Sequence, residues 1–278
     1  MLNVDKKNNS KYIIENISKG VFLASALIAV IILLIIIGFV FYKGLTPFIV
    51  KGYSFKDFFF STKWMPSSDV YGAMPMLIAS IAGTFGSLLV GVPIGILTAI
   101  FIAEVAPKRI GKFISTSVEL LAGIPSVLYG IFGLTIIVPW VRNTFNVAKG
   151  QSLLAIIIVL SIMMLPTIVT VSETAIRTVP KSYKEASLGL GASEIETTFK
   201  VVLPAAKSGI LAAVVLGVGR AIGETMAIIL VAGNSAMIPK SLGDAVRPLT
   251  TNIALEMGYS HGTHQEMLFA TGVVLFIF

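Results

Sequence analysis

The chain has 278 residues, of which 55% are hydrophobic and only 13% charged, and its mean hydropathy of +0.91 predicts an all-α integral membrane protein. It contains no cysteine, which excludes structural disulfides and thiolate metal sites. The net charge of +7 is scattered between apolar runs, which argues against nucleic acid as a partner and favours membrane lipid and an anionic solute.

The N-terminal part of the chain predicts one membrane span followed by an aromatic segment. Residues 1–20 are polar and basic and are predicted to form a cytoplasmic tail. The apolar run 21–42 is about 33 Å long as a helix, enough to cross a hydrocarbon core, and we interpret it as a retained first transmembrane helix rather than a signal peptide. Residues 43–73 are predicted to be external. Their rings alternate with lysines, which is typical of an element at the membrane interface, with a docking surface for a partner as the alternative. These rings include Phe55, Phe58, Phe59, Phe60 and Trp64.

Residues 74–278 are predicted to form the core permease domain. The last apolar run has about twelve residues, or about 18 Å of helix, so we predict six transmembrane helices of which the last is truncated in this sequence. Lysine and arginine are more frequent on the side that holds the tail, which places the N-terminus and the polar loop 173–208 in the cytoplasm. The five apolar runs of the domain are approximately 74–103, 113–141, 153–171, 209–232 and 267–278.

Small residues recur at every fourth position of the second span, which predicts close packing against another membrane helix. Proline in three successive spans, at Pro93, Pro125 and Pro166, predicts bends or breaks. The small residues are Ala79, Gly83, Ser87, Gly91, Gly95, Ala99 and Ala103.

The loop 173–208 predicts two short helices. The first covers about 181–190, Gly191 provides the turn, and Ser193 with Glu196 forms a capping box that starts the second helix, which Pro204 is expected to end. The apolar face of the second helix is a surface that another protein can bind.

This loop resembles the EAA signature of permease subunits of bacterial ABC importers. Glu185, Ala186, Gly191, Leu203 and Pro204 stand at the separations of that signature, with serine where its third alanine is usual. The resemblance implies that the loop is the coupling helix that binds a groove on the cytoplasmic ATPase, with Glu185 and Gly191 among its contacts.

Further motifs resemble the PstC-type permease of the phosphate importer. They begin at Trp64, Tyr71, Gly83 and Gly123 and include RAIGETMA from Arg220. This resemblance implies the type I importer (MetI-like) permease fold, phosphate transport across the bacterial cytoplasmic membrane, and three partners: a PstA-type sister permease, a PstB-type ATPase dimer and a PstS-type phosphate-binding protein. It implies no cofactor on this chain, with ATP and Mg on the partner ATPase.

The substrate pathway is predicted near Arg220, Glu224 and Ser126. Charge in an apolar helix is costly, and Glu224 follows Arg220 by four residues, the spacing of a helical ion pair. Gly217 and Gly223 are expected to leave room beside the guanidinium for a phosphate, whose proton Glu224 can accept as a hydrogen bond. Ser126 follows Pro125, which frees backbone groups along the path. A static salt bridge that fixes helix register is the alternative.

The sequence also limits the sources of energy. It has no phosphate-cradling loop of the type GxxxxGK[ST], so we expect the chain not to be an enzyme, with ATP hydrolysed by a separate subunit. The remaining alternatives are a permease for another oxyanion (phosphonate, sulfate or molybdate) and a proton-coupled carrier in which Glu224 titrates.

Overall fold

The computed structural model describes the backbone of residues 4–277 and the side chains of residues 11–277. The start of the predicted tail and Phe278, the end of the predicted sixth span, therefore lie outside the described residues. Two antiparallel strands, β1 (Trp64–Met65) and β2 (Val70–Tyr71), form a hairpin, and all other regular elements are helical. The α-helices are α1 (Val4–Ile49), α2 (Phe55–Phe60), α3 (Met74–Ile100), α4 (Lys108–Ala122), α5 (Ser126–Phe132), α6 (Val138–Phe145), α7 (Leu153–Arg177), α8 (Lys181–Gly189), α9 (Glu194–Thr197), α10 (Leu203–Gly223), α11 (Met226–Val231), α12 (Leu249–Glu256) and α13 (Gly262–Ile277).

Three π-helical turns lengthen the helices: one extends α3, and two join neighbouring helices into longer rods. They cover Phe101–Val105 after α3, Gly133–Ile137 between α5 and α6, and Thr198–Val202 between α9 and α10. With these turns, five stretches of the described chain are long and apolar enough to cross a membrane. They are Lys11–Ile49, Met74–Val105, Ser126–Phe145, Leu153–Arg177 and Glu194–Gly223.

One compact unit consists of residues 1–52 and 261–278. In it α1 and α13 pack together, with Phe39 and Phe269 edge to face at 5.5 Å between ring centroids. The predicted first span, 21–42, lies within the much longer α1. The helix α13 is not among the five long apolar stretches, so the sixth span remains a prediction.

The second unit, residues 53–260, contains the other elements. At its centre α3 and α10 both pack against α7, and both contact Ile168 of α7. A methyl group built at Gly95 would lie 2.7 Å from the Ile168 side chain, and one built at Gly217 would lie 3.1 Å from it. The predicted small-residue ridge of α3 is therefore confirmed as the surface that lets α7 approach.

The predicted third span is wrong at its start. Residues 113–122 belong to α4, a separate helix that carries Glu119 on an exposed face, and the spanning stretch begins only at Ser126. Pro125 lacks a backbone N–H and disfavours helical geometry at Ile124, which explains the break. Pro93 and Pro166, by contrast, lie inside continuous helices.

The predicted fifth span is wrong at both ends. Its helix is continuous from Glu194, and Pro204 does not end the second loop helix as expected but lies in the first turn of α10. The π turn before it widens the helix and ends with a hydrogen bond from Leu203 N–H to the Thr198 carbonyl, which accommodates the proline ring. The other end of the span is broken after Gly223.

The aromatic segment is only partly an exposed belt. Phe58 and Trp64 are buried, and the Trp64 indole donates a 2.8 Å hydrogen bond to the buried Glu256 carboxylate, so the interface interpretation is wrong for both. The second oxygen of Glu256 pairs with Arg247 at 2.7 Å. This network fixes the hairpin to α12. Phe55, Phe59 and Phe60 are exposed, as an interface element requires.

Candidate functional site

The site forms where the helix containing Arg220 is interrupted. The α-helix α10 ends at Gly223, and Glu224 is extended, with φ −68° and ψ 133°. The Glu224 carboxylate accepts a 3.1 Å hydrogen bond from the Ala227 N–H, and its main-chain carbonyl accepts one of 2.9 Å from the Thr250 hydroxyl. Hydrogen bonds from both α11 and α12 therefore stabilise the interruption.

Arg220 lies in the last turn of α10, midway in sequence between Gly209 and Val231, and its side chain is half-buried. It forms no hydrogen bond or ion pair with any residue that the structure describes. The predicted four-residue ion pair with Glu224 is wrong, because the helix ends before Glu224 and the carboxylate turns to cap α11. A cation within an apolar helix is costly when no partner neutralises it. All five guanidinium donors of Arg220 are available to an anion.

The glycines near Arg220 have different roles. Gly217 faces Ile168 of α7, so it makes room for a helix and not for a solute, contrary to the prediction. At Gly223 and also at Gly219, an added methyl group would have no described atom within 4 Å apart from its chain neighbours and the backbone of its own helix, so both border open space. The space beside Arg220 is thus on the side of Gly219 and Gly223.

Ser126 is the first residue of α5 and is half-buried, with no hydrogen bond to any described residue. One turn later the buried Tyr129 donates a 2.8 Å hydrogen bond to the Leu121 carbonyl and belongs to the same buried cluster as Ala221, the residue after Arg220. Gly130 packs α5 directly on Ala227 of α11. Arg220, Glu224 and the α5 face are therefore neighbours.

Sequence reasoning missed Thr250 and Tyr129. Tyr129 lies inside the GIPSVLYG stretch, which could have identified it, because a tyrosine hydroxyl in an apolar span needs a partner. Thr250 gives no such signal. It lies 26 residues from Glu224, and only the fold brings the two together.

The loop between α7 and α10 forms a compact helical hairpin. Ser193 and Glu196 form the predicted capping box, and Gly191 has φ +88°, a conformation that favours glycine. Glu185 and Ala186 lie exposed on α8, Pro204 is exposed at the start of α10, and Leu203 is partly buried. Large apolar side chains are also exposed here, namely Leu190, Ile195 and Phe199.

Charged pairs join this end of the molecule internally. Lys184 of α8 contacts both carboxylate oxygens of Glu104, at 2.5 and 2.7 Å, and Glu104 lies in the π turn that ends α3. Arg177 pairs with Glu173 at 2.8 Å and donates a 3.1 Å hydrogen bond to the carbonyl of Ile102 in the same π turn.

Comparison with known proteins gives consistent matches. Residues 91–278 match the family described as "Binding-protein-dependent transport system inner membrane component". The chain is 43% identical over 239 residues to the probable ABC transporter permease protein YqgH of Bacillus subtilis, covering 84% of this chain and 77% of that protein. It is 35% identical to the phosphate transport system permease protein PstC of Pasteurella multocida, covering 81% and 77%.

Solved structures share the fold. A bacterial ABC transporter involved in the import of the acidic polysaccharide alginate superposes with a TM-score of 0.65 at 19% identity, over 96% of this chain and 95% of that one. The MetNI methionine ABC transporter superposes with a TM-score of 0.55 at 21% identity, over 74% and 87%. These similarities establish the predicted type I importer (MetI-like) permease fold.

Proposed function

We propose that this chain, which belongs to the family of binding-protein-dependent transport system inner membrane components, moves inorganic phosphate through an ATP-binding cassette importer. The observation that carries the proposal is Arg220, which lies in the last turn of the interrupted helix and forms no ion pair with a described residue. The chain is similar over four fifths of its length to a protein named PstC. The chain itself is a multi-pass transport subunit and not an enzyme.

Arg220 supplies the anion contact. Its planar guanidinium matches the oxygens of a phosphate in a bidentate arrangement. Because no described residue neutralises Arg220, an entering anion replaces water and not an internal carboxylate, which permits binding without first breaking an ion pair. The open sides of Gly219 and Gly223 give the space for it.

Glu224 supplies discrimination. One of its carboxylate oxygens accepts the Ala227 N–H, and the group retains further lone pairs for a protonated phosphate oxygen. Sulfate carries no such proton at neutral pH, so a carboxylate opposes it by charge repulsion. Ser126, at the start of α5 and without a hydrogen bond to a described residue, provides a neutral hydroxyl on the neighbouring side.

The importer requires partners of three kinds. An ATPase dimer of the PstB type would bind the loop at Glu185, Ala186 and Gly191, together with the Leu203–Pro204 start of α10. The exposed Leu190, Ile195 and Phe199 provide apolar area for that contact. A PstA-type sister permease would complete the pathway, and a PstS-type protein would deliver phosphate.

ATP and Mg belong to the ATPase. The complex resides in the bacterial cytoplasmic membrane, with α8 and α9 on the cytoplasmic side.

The same experiment distinguishes two other functions. A permease for phosphonate, sulfate or molybdate would use Arg220 equally well, and a proton-coupled carrier would use Glu224 without ATP.

The test is to purify the chain with its co-expressed partner subunits, reconstitute the complex in liposomes, and measure uptake and ATP hydrolysis with phosphate and with sulfate. We expect ATP-dependent uptake of phosphate and none of sulfate. Equal uptake of sulfate would contradict the assigned substrate, and uptake driven by a proton gradient without ATP would contradict the importer mechanism.

A further inference from the structure

The ion pair between Lys184 and Glu104 joins the helical hairpin of α8 and α9 to the membrane helices. Within the described part of the chain, it is the only ion pair or hydrogen bond between α8 and the rod formed by α3 and its π turn. The other side-chain hydrogen bond that leaves α8 connects Ser187 to Thr197 of α9, at 2.9 Å, and so stays within the hairpin. Displacement of α8 therefore acts on α3 through one polar contact.

The contact is built to resist separation. Both carboxylate oxygens of Glu104 contact the same ammonium group, and the Glu104 side chain is only 10% exposed. Opening the pair would leave a carboxylate largely out of water, which is strongly unfavourable. A movement of α8 is thus expected to carry Glu104 with it and not to break the pair.

Glu104 lies in an irregular segment of the α3 rod. It is in the π turn Phe101–Val105, where the wider turn interrupts the regular ladder of the helix. Arg177 binds the Ile102 carbonyl in this turn, and its partner Glu173 accepts a 3.2 Å hydrogen bond from Ser115 of α4. The turn is therefore the point where α3, α4, α7 and α8 are connected by polar contacts.

Two adjacent residues of α8 have different surroundings. Glu185 is exposed and projects from the surface of the hairpin, whereas the neighbouring Lys184 projects inward to Glu104. One residue is thus available to an external partner and the next is fixed to a membrane-spanning helix.

We propose that Lys184 and Glu104 are positioning residues that transmit movement of α8 to the membrane-spanning α3, and so link ATP hydrolysis to transport. This inference rests on the proposed function, because it requires an ATPase that moves the loop. It assigns a role to residues that neither contact the transported anion nor form the external surface of the loop.

The loop also contains a matched control. Lys200 and Glu196 form an ion pair at 3.1 Å within one helical stretch, with side chains 74% and 50% exposed. This pair has the same two residue types, but it is exposed and, apart from the capping contact of Glu196 with Ser193, connects nothing outside its own stretch. Neutralising it changes the charge of the loop without cutting a link to α3.

The experiment compares Lys184→Gln, Glu104→Gln, the exchanged variant Lys184→Glu/Glu104→Lys and the control Lys200→Gln in the reconstituted complex. For each we would measure phosphate uptake, ATP hydrolysis and co-purification of the ATPase. We expect each single variant to retain the ATPase but to lower the phosphate taken up per ATP by about fivefold or more, the usual range for coupled sites. The exchanged variant should recover most of this ratio, and the control should keep it.

A wild-type ratio in both single variants would overturn the proposal. So would an exchanged variant as defective as the single variants, since this would indicate a local structural role. Loss of ATPase co-purification in Lys184→Gln would also contradict the proposal, by making Lys184 part of the binding surface. A failure of the proposed function would give a different result from a failure of this inference, because the wild-type complex itself would then not take up phosphate.

Discussion

The hydroxyl of Thr250 donates a 2.9 Å hydrogen bond to the main-chain carbonyl of Glu224, at the interruption between α10 and α11. A carbonyl released from a helix inside an apolar environment needs another donor. Thr250 supplies it, and the neighbouring Leu249 N–H is held in turn by the Ser80 hydroxyl of α3, at 2.9 Å. The first turn of α12 thus connects α3 to the interrupted helix.

This relationship predicts the effect of Thr250→Val. The substitution keeps the shape of the side chain but leaves the Glu224 carbonyl without its donor, which should lower the free energy of unfolding by about 1 to 3 kcal/mol. Thermal unfolding of the purified protein in detergent measures the change, with Thr250→Ser as the control that retains the hydroxyl. A Thr250→Val variant that unfolds at the wild-type temperature would contradict the assigned role.

Gly130→Ala is expected to disturb the contact between α5 and α11. A methyl group at this position would lie 2.8 Å from the Ala227 Cα, and the backbone cannot rotate away as a side-chain end can. Such overpacking typically costs about 1 to 3 kcal/mol. Gly38→Ala in α1 is the control, because no described atom lies near its added methyl group. Equal thermal stability of the two variants would contradict the described packing.

The stability of the turn at Lys240–Asp244 should depend on pH. Hydrogen bonds from the Lys240 N–H and then from the Ser241 hydroxyl and N–H lower the pKa of Asp244 below its ordinary value of 3.8. A lowered pKa in the folded state means that the stabilisation is present above pH 3.8 and is lost as the pH falls through the folded pKa. We expect the Lys240 and Ser241 amides to be protected from hydrogen exchange at pH 5, after correction for intrinsic exchange rates. This protection should be lost only below pH 3.8. Asp244→Asn should lack this protection at both pH values, and a wild-type profile in that variant would count against the assignment.

Glu185→Arg tests the loop as the binding surface for the ATPase. Because Glu185 is exposed and forms no ion pair with a described residue, the substitution should leave thermal stability unchanged. Reversing the charge in a contact should nevertheless reduce the amount of ATPase that co-purifies by about tenfold. Glu15→Arg, at an exposed position of α1 where it breaks only the exposed pair with Lys19, is the control. Retention of the ATPase by Glu185→Arg would show that this residue is outside the contact.

Features that depend on neighbouring residues could be predicted from the sequence. The capping box of Ser193 and Glu196, the glycine turn at Gly191 and the small-residue face of α3 follow from short spacing rules, and the structure confirms all three. The break before Ser126 also has a local signal in Pro125, although the apolar run concealed it.

Features that depend on distant contacts could not be predicted in this way. The sequence around Glu224 is compatible with a continuous helix, and the interruption is stabilised by Thr250 from another part of the chain. Gly217 and Gly223 look equivalent in sequence, but only Gly217 faces α7. Trp64 resembles an interface residue until Glu256, far along the chain, provides its hydrogen-bond acceptor.

The most direct test of the proposed function is phosphate uptake by the assembled complex containing Arg220→Gln. We predict that uptake of radiolabelled phosphate falls to the background of liposomes without the complex, while all subunits still co-purify, and that Arg220→Lys, which keeps the charge but not the planar donor fork, retains part of it. Uptake by the assembled Arg220→Gln complex at the wild-type rate would contradict the role assigned to this side chain.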